Sequence, residues 1–400
     1  MSTYLLVVLG YFAFITLISI LTKKVASRSA ADYLVAGRNL GIVACAVVVA
    51  SEWLGGMSTI GVSEKAFDSG TLQPILYNIS TAIGMIIIGF TVARHYRRNN
   101  VHTVSEMLEN LFGKRARAVS AVAFLFAYIV LAFVQLQTAS SVISSMFDLN
   151  WVTSVIISSV VITIYTYIGG MHALAITGIM HVVVMFIGIG FATYTGITNV
   201  GGFAALKADM VLNHGSPENL YNPFSGGLSY AWSLILGGVL GGMAGQASIQ
   251  PIFAARTADI AKKAAIFSSL IIAPFGIMVA ILGLVAKTGN YFDVSTAASP
   301  LWNPDLINPD TGVVGMINPK MVLPTLMVTP EFIHPVMGGI ALAGILAAIL
   351  STVGPVNFAV VTIATKDIYH GLINKTAVDK KLISTARKLV ILVNLVTIPL

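Results

Sequence analysis

Residues 51–61 read SEWLGGMSTIG and follow directly on the apolar run GIVACAVVVA at 41–50. An acid, a tryptophan and two adjacent glycines interrupt what is otherwise an unbroken hydrophobic helix. An ionisable group such as Glu52 is costly at membrane depth and points into a bundle or pathway. Gly55 and Gly56 allow backbone conformations that other residues avoid. A loosened helix survives in hydrocarbon only where it faces protein or a water-lined cavity. This stretch therefore separates a protein that merely sits in the bilayer from one that moves something across it.

The rest of the chain supplies the bilayer. Of 400 residues, 56% are hydrophobic and only 10% charged, and the mean hydropathy is +0.87. A soluble domain carries about 25% charged residues, so an ordinary globular fold is excluded. Apolar segments run over roughly 3–22, 41–61, 73–93, 118–147, 152–168, 173–195, 228–250, 265–286, 335–364 and from 386 onward. Each approaches the ~20 residues that cross ~30 Å of hydrocarbon. The expected fold is an all-α polytopic membrane protein. The first segment lacks a basic leader and a small-residue cleavage site, so it reads as a retained span. The last is still apolar at Leu400, and the expectation is that the chain is a piece of a longer protein.

Charge fixes an expected orientation. Nineteen of the 23 Lys and Arg fall in loops on one side, around 23–38, 94–117, 256–263 and 366–388. Lys65, Lys207, Lys287 and Lys320 fall on the other. Such asymmetry places the basic loops in the cytoplasm and the N-terminus outside, as in a prokaryotic cytoplasmic membrane. The net charge of +7 is thus a topology signal. No basic patch with interleaved aromatics suggests nucleic acid, and no obligate protein partner is indicated. The two long external loops, near 196–227 and 287–334, are rich in Gly, Asn, Pro and Asp; they read as surface loops or short lids.

A second candidate break is GGVLGGMAGQAS at 237–248, followed by Pro251. Its glycines could equally serve close helix packing. Glu52 itself could be a neutral, hydrogen-bonded strut. The ninth segment carries adjacent hydroxyls at Ser351 and Thr352, with Ala348 one turn earlier. Such hydroxyls often only cap a carbonyl of their own helix. His181, within the sixth segment, is as readily a satisfied core histidine as a transport residue. The lone cysteine, Cys45, excludes an intrachain disulfide and suits a small packing position. No His/Cys/Asp/Glu spacing suggests a metal site, and no nucleophile–base set or phosphate loop suggests an enzyme or a cofactor. Side chains expected to face a central solute pocket, from polarity at depth, are Glu52, Trp53, Gln73, Gln135 and Gln246. Gln135 could instead cross-link helices.

Four stretches together resemble the sodium:solute symporter family: ADYLVAGRNLG (31–41), ASEWLGGMSTIG (50–61), YTYIGGMHALAITGIMHVVVMF (165–186) and AAILSTVGPVNFAVVTIATKDIY (347–369). The resemblance runs across nearly the whole chain. It implies an inverted-repeat transporter fold with one extra N-terminal helix. Residues 1–40 would hold that helix and a cytoplasmic loop, and 41–198 the first five-helix repeat. Residues 199–400 would hold an external loop and a second repeat that is incomplete in this chain. The resemblance also implies Na⁺ as coupling ion, held by backbone carbonyls of Cys45 and Val48 together with Ala348, Ser351 and Thr352. Two departures stand out. Gly178 and His181 occupy places where many relatives carry an acid and a glutamine. Ala247 and Ser248, with Arg256 displaced, replace a Pro-Gln and arginine pattern. The function implied is Na⁺-coupled symport of a small polar organic solute into the cell by alternating access. The rivals are a transporter-like sensory domain reporting solute to an attached signalling module, and a channel-like leak.

Overall fold

The computed structural model describes residues 3–26, 28–147, 149–307 and 314–397. The N-terminal helix is α1 (Thr3–Ala26). A short α2 (Ala30–Val35) follows, its first turn capped by Ser29 Oγ, which accepts from the Asp32 amide at 3.0 Å. The second apolar segment is two helices. Here α3 (Ile42–Trp53) stops at the Gly-Gly break, and after a wide turn at Met57–Gly61 the chain continues as α4 (Val62–Ser69). The two parts bend by 63°, and the second runs well beyond the expected boundary at 61.

Next come α5 (Leu76–Thr91), α6 (Ala93–Arg98), α7 (Val104–Phe112) and α8 (Lys114–Phe147). The continuous helical stretch α9 (Trp151–Val200) has 50 residues, which at 1.5 Å each far exceeds one crossing. It therefore holds both the fifth and sixth apolar segments, folded about Gly170 at φ +55°. A side chain there would meet the Tyr33 ring at 2.9 Å, so the bend requires glycine on both counts.

The loop near 196–227 contains α10 (Phe203–His214). The seventh segment is again two helices, α11 (Leu228–Ala244) and α12 (Gln246–Phe253), parted at an extended Gly245. After α13 (Ala258–Lys287), the second external loop holds an antiparallel hairpin, β1 (Trp302–Ile307) with β2 (Val314–Ile317), pairing Trp302 with Ile317. The chain ends with α14 (Val322–Val328), α15 (Pro335–Ile363) and α16 (Asp379–Thr397).

Among the described residues, seven helices are long and apolar enough to cross a membrane, or eight if α3 and α4 form one bent span. Ten apolar segments were expected. The apolar helix Trp151–Ile164 is too short alone, and α16 carries five charged residues. The core centres on α15, buried from Gly338 through Ile363 save Ile340 and packed against α1, α3, α8 and α9. Large apolar side chains on the outer faces of α1, α8 and α11, such as Leu21, Phe126 and Leu240, stand exposed, as lipid-facing surfaces do.

The four basic loops meet at one end. Arg38 donates to the Asn100 carbonyl at 2.5 Å, Arg256 to Asn39 Oδ1 at 2.8 Å, and the Ala30 amide to Asp379 at 3.3 Å. Arg117 donates to Asp367 at 2.9 Å and to Glu109 at 2.6 Å, and Thr103 shares Asp367 at 2.9 Å. At the start of α7, burial pushes the Glu106 carboxyl up. Hydrogen bonds from the His102 ring and amide outweigh this, and with the His102 and Arg117 charges they hold it at about 2. The His102 ring is lowered from its ordinary value, chiefly by burial.

Candidate functional site

The break after Trp53 frees backbone groups, and several have partners from other parts of the fold. The Gly55 carbonyl accepts from the Thr59 amide at 3.0 Å and from Thr59 Oγ1 at 2.5 Å. The Gly56 amide donates to Gln135 Oε1 on α8 at 2.9 Å. On the opposite flank Thr352 Oγ1 donates to the Ser51 carbonyl at 2.6 Å, and Ser351 Oγ to the same oxygen at 3.4 Å. Thr352 thus crosses to another helix. Ser351 also bonds the Ala348 carbonyl at 2.8 Å. The broken helix is clamped between α8 and α15.

Both glycines are dictated by this clamp. A Cβ on Gly55 would lie 2.6 Å from Thr352 Oγ1 and 2.8 Å from Gln135 Nε2, and one on Gly56 would lie 2.5 Å from Thr138 Oγ1.

Beside the break lies a cavity of about 290 Å³ lined by Glu52, Trp53, Tyr77, Phe124, Tyr128 and Gln135, with Gly241 and Gly245 of the second broken helix. Glu52 Oε1 accepts from Tyr128 Oη at 3.2 Å. The Ser248 hydroxyl of α12 also lies against the carboxylate, while Glu52 Oε2 and the Trp53 Nε1 are buried with no close hydrogen-bond partner. The cavity thus offers a bound molecule polar groups from Glu52, Trp53 and Gln135 and several aromatic faces.

Three of the five side chains expected at a pocket, Glu52, Trp53 and Gln135, line this cavity. Gln73 and Gln246 do not. Gln73 is buried against Gly226 of the external loop. Gln246 accepts from the Val104 amide at 2.7 Å and donates to the His102 carbonyl at 3.3 Å, towards the basic end. Cys45 and Val48 are buried in the regular part of α3, with Cys45 Sγ 3.1 Å from the Pro251 carbonyl. Val48 stands one turn before Ser51. His181 is buried and bonded to Tyr11 of α1, and Gly178 packs on Val47 and Ser51.

Polarity at depth missed Tyr77, Phe124 and Tyr128, because aromatic residues are unremarked in an apolar segment. One signal was available for Tyr128. It stands seven residues before Gln135 on α8, two turns along the same face.

The sodium:solute symporter family model matches residues 33–400. The chain belongs to the sodium:solute symporter family. Curated relatives are transporters. High-affinity choline transporter 1 of Drosophila melanogaster is 23% identical over 93% of this chain and 57% of its own length. The sodium/glucose cotransporter of Vibrio parahaemolyticus is 24% identical over 91% and 68%. The chain therefore spans between about half and two thirds of these relatives. A solved Na⁺-coupled sialic acid symporter in a substrate-bound outward-open state shares the symporter fold. Its TM-score is 0.83 at 17% identity, over 99% of this chain and 81% of that one.

Proposed function

We propose that this symporter-family protein imports a small polar organic solute, driven by Na⁺, through alternating access. The observation that carries the reading is the clamped break in α3 beside a cavity holding Glu52 and Trp53. On one flank Ser351 and Thr352 of α15 meet the Ser51 carbonyl of α3, and in this reading the backbone oxygens of Cys45 and Val48, with Ala348, would complete the ion's ligands. Neutral oxygens suit a hard cation. Na⁺ there would draw α15 onto α3 and favour one arrangement of the break, which is what coupling by differential binding needs.

The other flank takes the solute. Glu52 Oε2 and Trp53 Nε1 would engage it by hydrogen bonds while the aromatic walls cover its apolar part. The relatives are named for different solutes, from choline to glucose to sialic acid, so the cavity's chemistry guides the choice. A cation, a zwitterion or a neutral polyol fits beside Glu52 more easily than an anion. In this reading residues 41–198 form the first repeat and 199–400 contribute to the second. The basic end faces the cytoplasm and the N-terminus lies outside.

The test is uptake by proteoliposomes under imposed gradients, with choline, glucose and sialic acid as probes. Stimulation by an inward Na⁺ gradient is expected. A flat Na⁺ titration with strong stimulation by a pH gradient would overturn Na⁺ coupling.

A further inference from the structure

The interruptions at Gly55–Gly56 and at Gly245 are both within reach of Tyr128, and Glu52 beside the first also meets Ser248 beside the second. Tyr128 Oη on α8 donates to Glu52 Oε1 at 3.2 Å, next to the first break. The same oxygen accepts from the backbone amide of Ala247 at 2.9 Å, just past the second. Ala247 is the second residue of α12, so its amide is one of the donors a helix N-terminus leaves without an intrahelical acceptor. Tyr128, Glu52 and Ala247 are all buried, so water does not readily replace a lost bond. Two turns further along α8, Gln135 holds the Gly56 amide.

We propose that Tyr128 is a positioning residue that couples the two interrupted helices. Its hydroxyl makes the state of the Glu52 carboxylate felt at the first turn of α12. One hydroxyl has one proton. While that proton is directed at Glu52, the oxygen's lone pairs remain available to the Ala247 amide. Loss of the acceptor at residue 52 frees the hydroxyl to rotate, and the amide's partner is no longer fixed. A solute that engages Glu52 would thereby alter the first turn of α12 through Tyr128. This step rests on the cavity being the solute site, but the coupling itself exists without solute or ion.

Hydrogen–deuterium exchange of the purified chain in detergent, without Na⁺ or solute, tests it. Tyr128→Phe is expected to speed exchange across 244–250 by about three- to tenfold, the range one hydrogen bond covers, and to leave α13 unchanged. With Ser248→Ala present throughout to remove the carboxylate's own contact with α12, Glu52→Leu is expected to speed the same segment when Tyr128 is intact and to add nothing in the Tyr128→Phe background. Equal effects of Glu52→Leu in both backgrounds, or none in either, would overturn the coupling. Should Tyr128→Phe not fold, the comparison of Glu52→Gln with Glu52→Leu decides. The amide retains an acceptor for Tyr128 and should keep 244–250 protected where the leucine does not; equal exchange overturns the proposal. Added Na⁺ reads the transport assignment separately. If exchange at 51–61 and across α15 ignores Na⁺, that assignment fails and the additivity result still stands.

Discussion

Thr352 Oγ1 donates to the carbonyl of Ser51 across 2.6 Å, joining two helices at positions 301 residues apart in sequence. A threonine in an apolar helix ordinarily bonds the carbonyl one turn earlier on its own strand of backbone. Here that carbonyl, of Ala348, accepts instead from Ser351 Oγ at 2.8 Å. Thr352 is left to grip α3 just before the break.

Replacing Ser351 and Thr352 together by alanine should therefore raise the Na⁺ concentration for half-maximal uptake by about tenfold or more, since 1.4 kcal/mol is a decade of affinity. Protein abundance should change little. Uptake in proteoliposomes across a Na⁺ series measures it. An unaltered Na⁺ dependence would remove the α3–α15 contact from the ion site.

Gly55→Ala and Gly56→Ala each force a methyl group into Thr352 or Thr138. Overpacking of this kind costs about 1–3 kcal/mol, so both variants should unfold at lower temperature in detergent and transport poorly. Gly237→Ala on α11 meets no atom within 4 Å. It should be neutral or slightly stabilising, because alanine is the better helix former by roughly 0.5–1 kcal/mol. Equal thermal midpoints for all three would show that the glycines are not set by the clamp.

Glu52→Gln keeps the size of the side chain and an acceptor for Tyr128 but removes the charge. Solute affinity or selectivity should shift severalfold while the Na⁺ half-point stays within about twofold, a ~0.4 kcal/mol change. The variant is assayed in liposomes for both quantities. If both hold at wild-type values and only the yield of folded protein falls, Glu52 is a structural strut.

Acid should weaken the basic end of the molecule. Glu106 is held at about 2, below its ordinary 4.5, so its stabilising contribution is complete above 4.5 and disappears as pH falls towards 2. His102 is lowered from 6.5, and its neutral ring likewise becomes a liability only on acidification. Glu106→Gln should narrow the stability gap to wild type across pH 4.5 to 2, read as thermal midpoints. A gap constant over that window would mean that the carboxylate's hydrogen bonds contribute nothing.

Hydropathy and charge placement alone established an all-helical membrane chain, the position of the break at SEWLGG and the clustering of basic loops. These properties are legible because lipid imposes length and apolarity on each span locally, and because an acid within a span is rare enough to stand out. The fold of α9 about Gly170 was legible only as the boundary between the apolar segments 152–168 and 173–195. What covers the break was not. The meeting of Thr352 with Ser51, the sharing of Tyr128 between Glu52 and Ala247, and the diversion of Gln246 to the Val104 amide depend on helices far apart in sequence. Side-chain type says that a glutamine at depth needs partners, but only packing decides whether those partners lie in the cavity or at the basic end. Gln135 and Gln246 are the same residue with opposite outcomes, because α8 crosses both breaks while α12 turns its first residue away from the cavity.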